Sequence, residues 1–332
     1  MGYAAEKKQV EKKKKKLLWI ILGCVVVLIV GLVIFSSQYP IDTWKYYFSL
    51  PSVSERKAGE LRIHFLDVGQ GDCTLLELPD GKTMMIDGGN GSKANVGRVM
   101  RYLNALDIQT IDYLLLTHAD GDHAGGLDSV LEYKTVKTVY YPNLEDPAVN
   151  QDYASFYSAL LDEECKKVRS ERYLTISSTK EKYPFTLTFL YPYSKESGAE
   201  AETENDGSAI VWLDYQGVSA IFCGDASSEV ERRLITEDSL GLFGDVGVTL
   251  QNTEILKVAH HGSADSTCEE FVEYLGVKTA IVSVGKGNEY GHPSAEVQQT
   301  LSKAGAEILR TDESGNIMLT IKDGNYKAKI VK

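Results

Sequence analysis

The chain has 332 residues, 43% of them apolar, enough for one large domain or two small ones. Its formal net charge is −12, and because residues 1 to 16 hold seven Lys and two Glu, the remainder carries −17. So acidic a remainder excludes broad electrostatic capture of nucleic acid; a phosphate-bearing substrate would have to be gripped by metal ions or a local basic pocket.

Residues 17 to 35, LLWIILGCVVVLIVGLVIF, form an uncharged run of 19. As a helix this run spans roughly 28 Å, enough to cross a bilayer. Lys7, Lys8 and Lys12 through Lys16 precede it, and the positive-inside rule puts that end in the cytoplasm and everything after residue 35 outside. The run exceeds a signal-peptide core of about 7–15 residues, and no small-x-small cleavage site follows, which favours an uncleaved single-pass anchor. The expected organisation is a basic cytoplasmic segment at 1–16, a transmembrane helix at 17–35, a juxtamembrane linker at 36–60 and one extracytoplasmic domain at 61–332. Of the five cysteines, Cys24 lies in the apolar run. Cys73, Cys165, Cys223 and Cys268 form no CxxC pair, and their spacing identifies no disulfide. Cys73 and Cys223 sit in apolar, strand-like contexts and read as core residues.

From Leu61 the pattern turns to strands. LRIHFLDV is one, CTLLEL the next, and TMMID its hairpin partner across the Pro79–Lys82 turn. Residues 95 to 106 have helical spacing, with Val96, Val99, Met100, Leu103 and Leu106 on one face. YLLLTH is a strand, GGLDSVLEY begins a helix, and VKTVYYP is a strand. Residues 143 to 172 are polar around one helical stretch, YASFYSALLDEECKKV. FTLTFLYP, AIVWLDYQ and VSAIFCGD follow as strands and SSEVERRLIT as a helix. EILKVAHHGS is a strand ending at two histidines, CEEFVEYL a helix, KTAIVSVG a strand and SAEVQQTLSKAG a helix, before terminal strands over 307–332. Meanders mixed with strand–helix alternation predict an α+β fold of two sheets with helices outside.

The chemistry concentrates at strand ends. Thr117 to Gly126 reads THADGDHAGG, placing His118, Asp120, Asp122 and His123 within six positions directly after an apolar strand. Imidazole with carboxylate suits zinc, and the carboxylate share also admits manganese or iron. The alternative is a polar loop in which Asp122 caps the following helix. Five further features stand at strand ends: Asp67 to Asp72, Asp87-Gly88-Gly89, Gly224-Asp225, His260-His261-Gly262-Ser263 and Tyr290-Gly291-His292-Pro293. Loops gathered from many strand ends normally build one site at one edge of a fold. Adjacent side chains on a continuing strand face opposite ways, so only one of His260 and His261 would ligate, and His260 is favoured. His64 alternates within a strand and reads as structural, Asp67 and Asp72 as turn-shaping residues. Lys257 and Lys286 read as solvated surface rather than phosphate contacts.

Taken in order, FLDVGQGD, IDGG, THADGDHAGG, the strand start near Asn205–Ser208, FCGD, KVAHHGS and YGHPSAEV resemble the metallo-β-lactamase fold superfamily, and within it the hydrolase domain of the ComEC-type competence proteins. The resemblance covers about residues 61 to 325 and implies an αββα sandwich. It implies two divalent ions, zinc or manganese. His118 and Asp120 would hold one, Asp122 and His123 the other, with Asp225 bridging and His260 or His261 completing the second. Asp87 would stand behind the ligand loop, and His292 would face the pocket and meet substrate. A hydroxide shared by two dications would be the nucleophile, with Asp122, Asp225 and His292 in the catalytic set.

Two departures bear on this. Asp120 stands where most of the superfamily has His, a harder donor that favours manganese or an open zinc site. No His occurs between 123 and 260, and Glu204, Asn205 or Asp206 occupies the matching strand start, leaving the first ion a ligand short. The expected function is a membrane-anchored, extracytoplasmic metallohydrolase acting on a phosphodiester, in DNA or a cell-envelope polymer. A lactonase- or lactamase-type hydrolase and a non-catalytic surface module with a degenerate site are the alternatives. Nothing in the sequence identifies a protein partner.

Overall fold

Side chains that alternate between two buried faces of each sheet decide the architecture. In the computed structural model, which describes residues 2–38, 45–144, 148–193, 203 and 205–331, the chain divides into Met1–Ser49 and Leu50–Lys332. In the first unit, α1 (Gly2–Gln38) is one continuous helix through both the lysine-rich segment and the apolar run. Among the described residues it is the one helix long and apolar enough to cross a membrane, over Glu11–Ile34, a test that a signal sequence would also pass.

The second unit holds two sheets. The first has eight strands in the order β15-β14-β1-β2-β3-β4-β5-β6. These are β1 (Leu61–Phe65), β2 (Thr74–Glu77), β3 (Thr83–Ile86), β4 (Thr110–Leu115), β5 (Thr135–Tyr141), β6 (Lys166–Arg169), β14 (Asn316–Lys322) and β15 (Asn325–Val331). The second has seven in the order β13-β12-β11-β10-β9-β8-β7. These are β7 (Thr175–Ser177), β8 (Phe185–Tyr191), β9 (Ile210–Tyr215), β10 (Val218–Phe222), β11 (Ile255–Lys257), β12 (Thr279–Val282) and β13 (Glu307–Arg310).

Odd positions of β1 (Leu61, Ile63, Phe65) meet Val211, Leu213 and Tyr215 of β9 and Val218, Ala220 and Phe222 of β10 in a core between the sheets. The intervening His64 points outward, where its Nδ1 meets Tyr102 Oη at 2.9 Å and its Nε2 meets Glu77 Oε2 at 2.9 Å. Tyr102 belongs to α2 (Lys93–Ala105), whose apolar face also buries Val96, Val99, Met100 and Leu103. On the far side, Ile210, Trp212, Ile221 and Cys223 form a second core with α6 (Ser228–Ser239), α7 (Glu269–Leu275) and α8 (Ala295–Lys303). Period-two burial on both sheets thus yields helix, sheet, sheet, helix.

Both sheets are parallel in one half. β3, β4, β5 and β6 run parallel, as do β10, β11, β12 and β13. Parallel neighbours need a crossover, and helices supply it. α2 joins β3 to β4, α3 (Gly121–Ala124) and α4 (Leu127–Tyr133) join β4 to β5, α5 (Gln151–Asp162) joins β5 to β6, and α6, α7 and α8 serve the other sheet. The carboxyl ends of the parallel strands therefore share one edge, where open α/β sheets gather ligands.

Three expectations change. The helix predicted through Val168 stops at Asp162, and Lys166–Arg169 pairs as β6 because Lys167 and Val168 find partners on β5. The strand predicted to reach His261 ends at Lys257, with both histidines in a tight left-handed turn within Ala259–Gly262. A further helix, α9 (Thr311–Ser314), interrupts the terminal strands. All five cysteines are free, with Cys73 and Cys223 fully buried.

The outer helices are tied by a buried carboxyl group, whose pKa burial pushes up to about 7. Glu231 of α6 is fully buried and accepts from the backbone N–H groups of Thr267 and Cys268, both at 2.8 Å, at the start of α7. Removing the carboxylate leaves two buried donors without partners. Glu231→Ala should cost about 2–4 kcal/mol in urea unfolding of the metal-free protein; a loss below about 1 kcal/mol would mean that water reaches those groups.

A candidate metal centre at the carboxyl ends of the strands

Each parallel strand near this edge delivers one polar loop. β3 ends at Asp87, β4 at Thr117–His123, β10 at Asp225, β11 at His260–His261 and β12 at Ser283. The β1–β2 turn adds Asp72 from the side. There Gly71 (φ +131°) lies so close to the ligand loop that a Cβ would fall 2.3 Å from the Asp122 carbonyl oxygen, and the Asp72 N–H donates to that oxygen at 3.1 Å.

Asp225 is the centre. It is 2% exposed, and its N–H donates to Ser208 Oγ at 3.0 Å. Four imidazoles face its carboxylate through Nε2: His123 at 3.1 Å from Oδ1, and His261, His118 and His260 at 3.6, 3.8 and 3.8 Å from Oδ2. Asp120 Oδ2 lies 3.6 Å from His118 Nε2, and Asp122 Oδ2 lies 3.2 Å from His261 Nε2. Donors bound at roughly 2.0–2.1 Å around a tetrahedral zinc are about 3.3–3.4 Å apart, and these separations bracket that value.

The rings are held from behind. His123 Nδ1 meets Asp87 Oδ2 at 2.8 Å. Asp87 also accepts from Thr117 N–H and Thr117 Oγ1, both at 2.8 Å, and that hydroxyl lies 3.0 Å from His118 Nδ1. His261 Nδ1 donates to Ser283 O at 2.9 Å, with Asp72 Oδ1 at 3.3 Å. In each case the outer nitrogen is occupied and the inner nitrogen points at Asp225, the arrangement by which outer partners orient metal-binding histidines. Consistently, His118 Nε2, His123 Nε2, His261 Nε2 and Asp225 Oδ1 are buried without a hydrogen-bond partner. Buried polar atoms are normally satisfied, so this set fits a divalent metal.

Ligand atoms of Asp72, His123, Asp225 and His261 lie within 4.8 Å of one another. Asp72 Oδ1, however, stands against the outer nitrogen of His261, 3.3 Å from Nδ1, and Asp72 Oδ2 is 2.6 Å from Lys257 Nζ. We therefore place it among the outer partners. Lys257 is 2% exposed, neither solvated nor at the mouth, and corrects the surface expectation: it neutralises Asp72 and donates to Val258 O at 2.9 Å.

Electrostatics follow from this packing. Burial alone would push the His261 ring down, but Asp225, Asp122 and Asp72 override it and hold its pKa up at about 10. His123 is likewise raised against burial, by Asp225 and Asp87. Burial opposes ionisation of Asp225, yet His123, His261 and His118 hold its carboxyl well below the usual range. Asp120 is lowered by the neighbouring His118 ring. Asp122 is lowered despite burial, by His261 and His123. His292 is shifted down by burial and by the neighbouring His260 and His261.

The strand geometry that favoured His260 over His261 does not hold. Both residues are left-handed, at φ 48° and 52°, and Gly262 follows at 85°. Such a conformation costs roughly 1–2 kcal/mol per non-glycine residue. It turns both rings toward Asp225 where a strand would separate them. His261 is the buried one; the His260 side chain is 26% exposed, with Asp265 3.5 Å from its Nδ1. Gly262 is required here because a Cβ would meet Pro293 Cβ at 2.6 Å. His292 lies at the mouth, its ring 5.6 Å from His260 and its Nδ1 buried without a partner. Asp122 makes no cap hydrogen bond; Asp120 is the residue at the N-cap of α3, also without one. At the strand start before β9, Glu204 lies outside the described residues. Asp206 pairs with Thr203, and Ser208 serves Asp225.

Sequence reasoning missed three supports. The Asp72–Lys257 pair was hidden because Asp72 reads as a turn residue and Lys257 as solvated. Thr117 was legible as the residue before His118 but carries no ligand signature. Asn150 caps α5 and donates from Nδ2 to Ala119 O at 2.9 Å, between two ligand-loop residues; nothing local signals so distant a contact.

The family model for the metallo-beta-lactamase superfamily matches residues 66–286. ComE operon protein 3 of Bacillus subtilis (strain 168) is 29% identical over 282 residues, covering 80% of this chain and 34% of that protein. Competence protein ComA of Neisseria gonorrhoeae is 25% identical over 270 residues, covering 81% and 34%. The chain thus spans about a third of the length of these relatives. Among solved structures, Zn2+-bound PqqB from Methylobacterium extorquens superposes with a TM-score of 0.40 at 11% identity, over 74% of this chain and 97% of that one.

Two outcomes follow from the geometry. His123 and His261 hold protons above their ordinary range, so a metal must displace them and affinity should fall as pH falls. Zinc loading at pH 7 should release about two protons, read by calorimetry in buffers of different ionisation enthalpy; zero release would mean neutral rings beforehand. Asp87→Asn, which weakens the hold on His123 and Thr117, should lower zinc affinity about 10–100-fold in chelator competition.

Proposed function

The chain belongs to the metallo-beta-lactamase superfamily of metal-dependent hydrolases, and we propose that it cleaves phosphodiesters with two divalent ions, zinc or manganese, bridged by Asp225. The observation that carries this reading is the use of both Asp225 oxygens: Oδ1 faces His123 while Oδ2 faces His118, His260 and His261. A single ion would need only one of them. One ion would take His118, Asp120 and Asp225, the other Asp122, His123, His261 and Asp225, because His261, though it faces Oδ2, stands closer to Asp122, at 3.2 Å. Three carboxylates in the donor set favour hard cations suited to phosphoryl oxygens.

When bound, such ions activate water and neutralise the negative charge that grows on an attacked phosphoryl group. The protein does the rest. Asp87, Thr117, Asp72 and Ser283 fix ring orientation. Asp120 and Asp122, with side chains 38% and 30% exposed, stand at the open side, where a carboxylate is placed to take a proton from incoming water. His292, its pKa lowered, is largely neutral at pH 7 and offers an N–H to a substrate oxygen. Asn288 holds this loop by accepting from His292 N–H at 3.0 Å and donating to His292 O at 2.6 Å.

The competence-type relatives favour DNA as the phosphodiester, and the acidic surface confines the contact to the site itself. We take α1 as a single-pass anchor with its lysines in the cytoplasm and residues 61–332 as an extracytoplasmic hydrolase domain. The test is a substrate panel on the detergent-solubilised chain with zinc and manganese compared. Bis(p-nitrophenyl) phosphate and single-stranded DNA should be cleaved, and Asp122→Ala should cost about 100-fold or more, since the second ion loses a ligand. Turnover of nitrocefin or a lactone in place of both phosphodiesters would overturn the proposed bond, and no turnover of any would favour a binding module.

A further inference from the structure

The ion begun by His118 and Asp120 has no third ligand of its own in the two-ion reading above, on which this inference rests. We propose that His260 supplies it, so that the adjacent His260 and His261 serve one ion each.

Three observations carry this. The first is distance: His260 Nε2 and His118 Nε2 each lie 3.8 Å from Asp225 Oδ2, and although His261 Nε2 is 3.6 Å from that atom too, it is 3.2 Å from Asp122, a ligand of the other ion. The second is ring polarity. In His118, His123 and His261 the Nδ1 faces an outer partner and the Nε2 faces Asp225. His260 repeats the pattern, with Asp265 Oδ1 3.5 Å from its Nδ1. A ring serving only as a substrate contact has no need to present Nε2 to the buried carboxylate. The third is backbone. Two successive non-glycine residues at φ 48° and 52° form a left-handed pair that a residue rarely adopts, and it is pinned by His260 N–H donating to Gly224 O at 3.0 Å and by Ser263 N–H donating to His260 O at 2.8 Å. Such strain persists where the surroundings demand it. Here it brings two neighbouring imidazoles to one carboxylate, which a strand would forbid. The missing histidine of the strand start before β9 is thereby replaced from the other side of Asp225.

The test uses the full chain, loaded with zinc and freed of excess, with bound metal measured by mass spectrometry and affinity by chelator competition. His260→Gly removes the ring and suits the left-handed backbone, so it tests the ligand without endangering the turn. The wild type should hold about two ions and His260→Gly about one. His118→Ala should lose that same ion, and the His118→Ala/His260→Gly double variant should lose no more. Combining His260→Gly with His261→Ala should empty both sites. Two ions retained in His260→Gly with unchanged affinity, or a double variant with His118→Ala that falls below either single one, would overturn the assignment. A wild type that takes up fewer than two ions would instead overturn the two-ion reading itself.

Discussion

A carboxylate buried to 2% exposure, with four imidazole nitrogens turned toward it, is the constraint around which this domain is organised. Removing Asp225 from water is costly unless cations compensate it. In the absence of metal the histidines must do so, which is why His123 and His261 are held protonated. The same arrangement that makes the apo cluster basic prepares it for dications, because each displaced proton frees a lone pair already aimed inward. Stability of the empty site and readiness for metal are two descriptions of one electrostatic balance.

The scaffold delivers this balance through strand ends. Parallel segments in both sheets bring Asp87, the His118–His123 loop, Asp225 and His260–His261 to one edge, and helical crossovers keep their other ends apart. The carboxylates divide by depth. Asp87 and Asp72 are buried and work on ring nitrogens from behind. Asp120 and Asp122 are partly exposed and border the mouth. Lys257 sets Asp72 apart from the rest, since its ammonium, buried beside the carboxylate, leaves that residue little capacity for a second cation.

Much of this was legible in the sequence. Period-two alternation in LRIHF and the apolar runs of β9 and β10 announced the sheets, and ligand density in THADGDHAGG announced the loop. The backbone turn at His260–His261 was not legible, because an apolar run followed by two histidines reads as a strand and only tertiary contacts with Gly224 and Pro293 stop it. Lys257 was misjudged for a related reason. Charged residues are solvated by default, and the exception arises only when two of them, 185 positions apart, are buried together. The helix predicted through Val168 failed because pairing with β5 outweighed local helical spacing.

The helix between β5 and β6 lies in a polar stretch remote in sequence from the ligand loop, yet Asn150 at its start grips the carbonyl of Ala119, and the carboxylate of Asp152 fills the space that a Cβ on Gly121 would need. The ligand loop is thus latched from outside. A substitution that shifts this helix by a fraction of an ångström would move His118 and Asp120 as a rigid lever moves its tip, without touching a donor atom. This helix is mechanically geared to the metal loop, so changes confined to it would also retune how firmly the ions are retained.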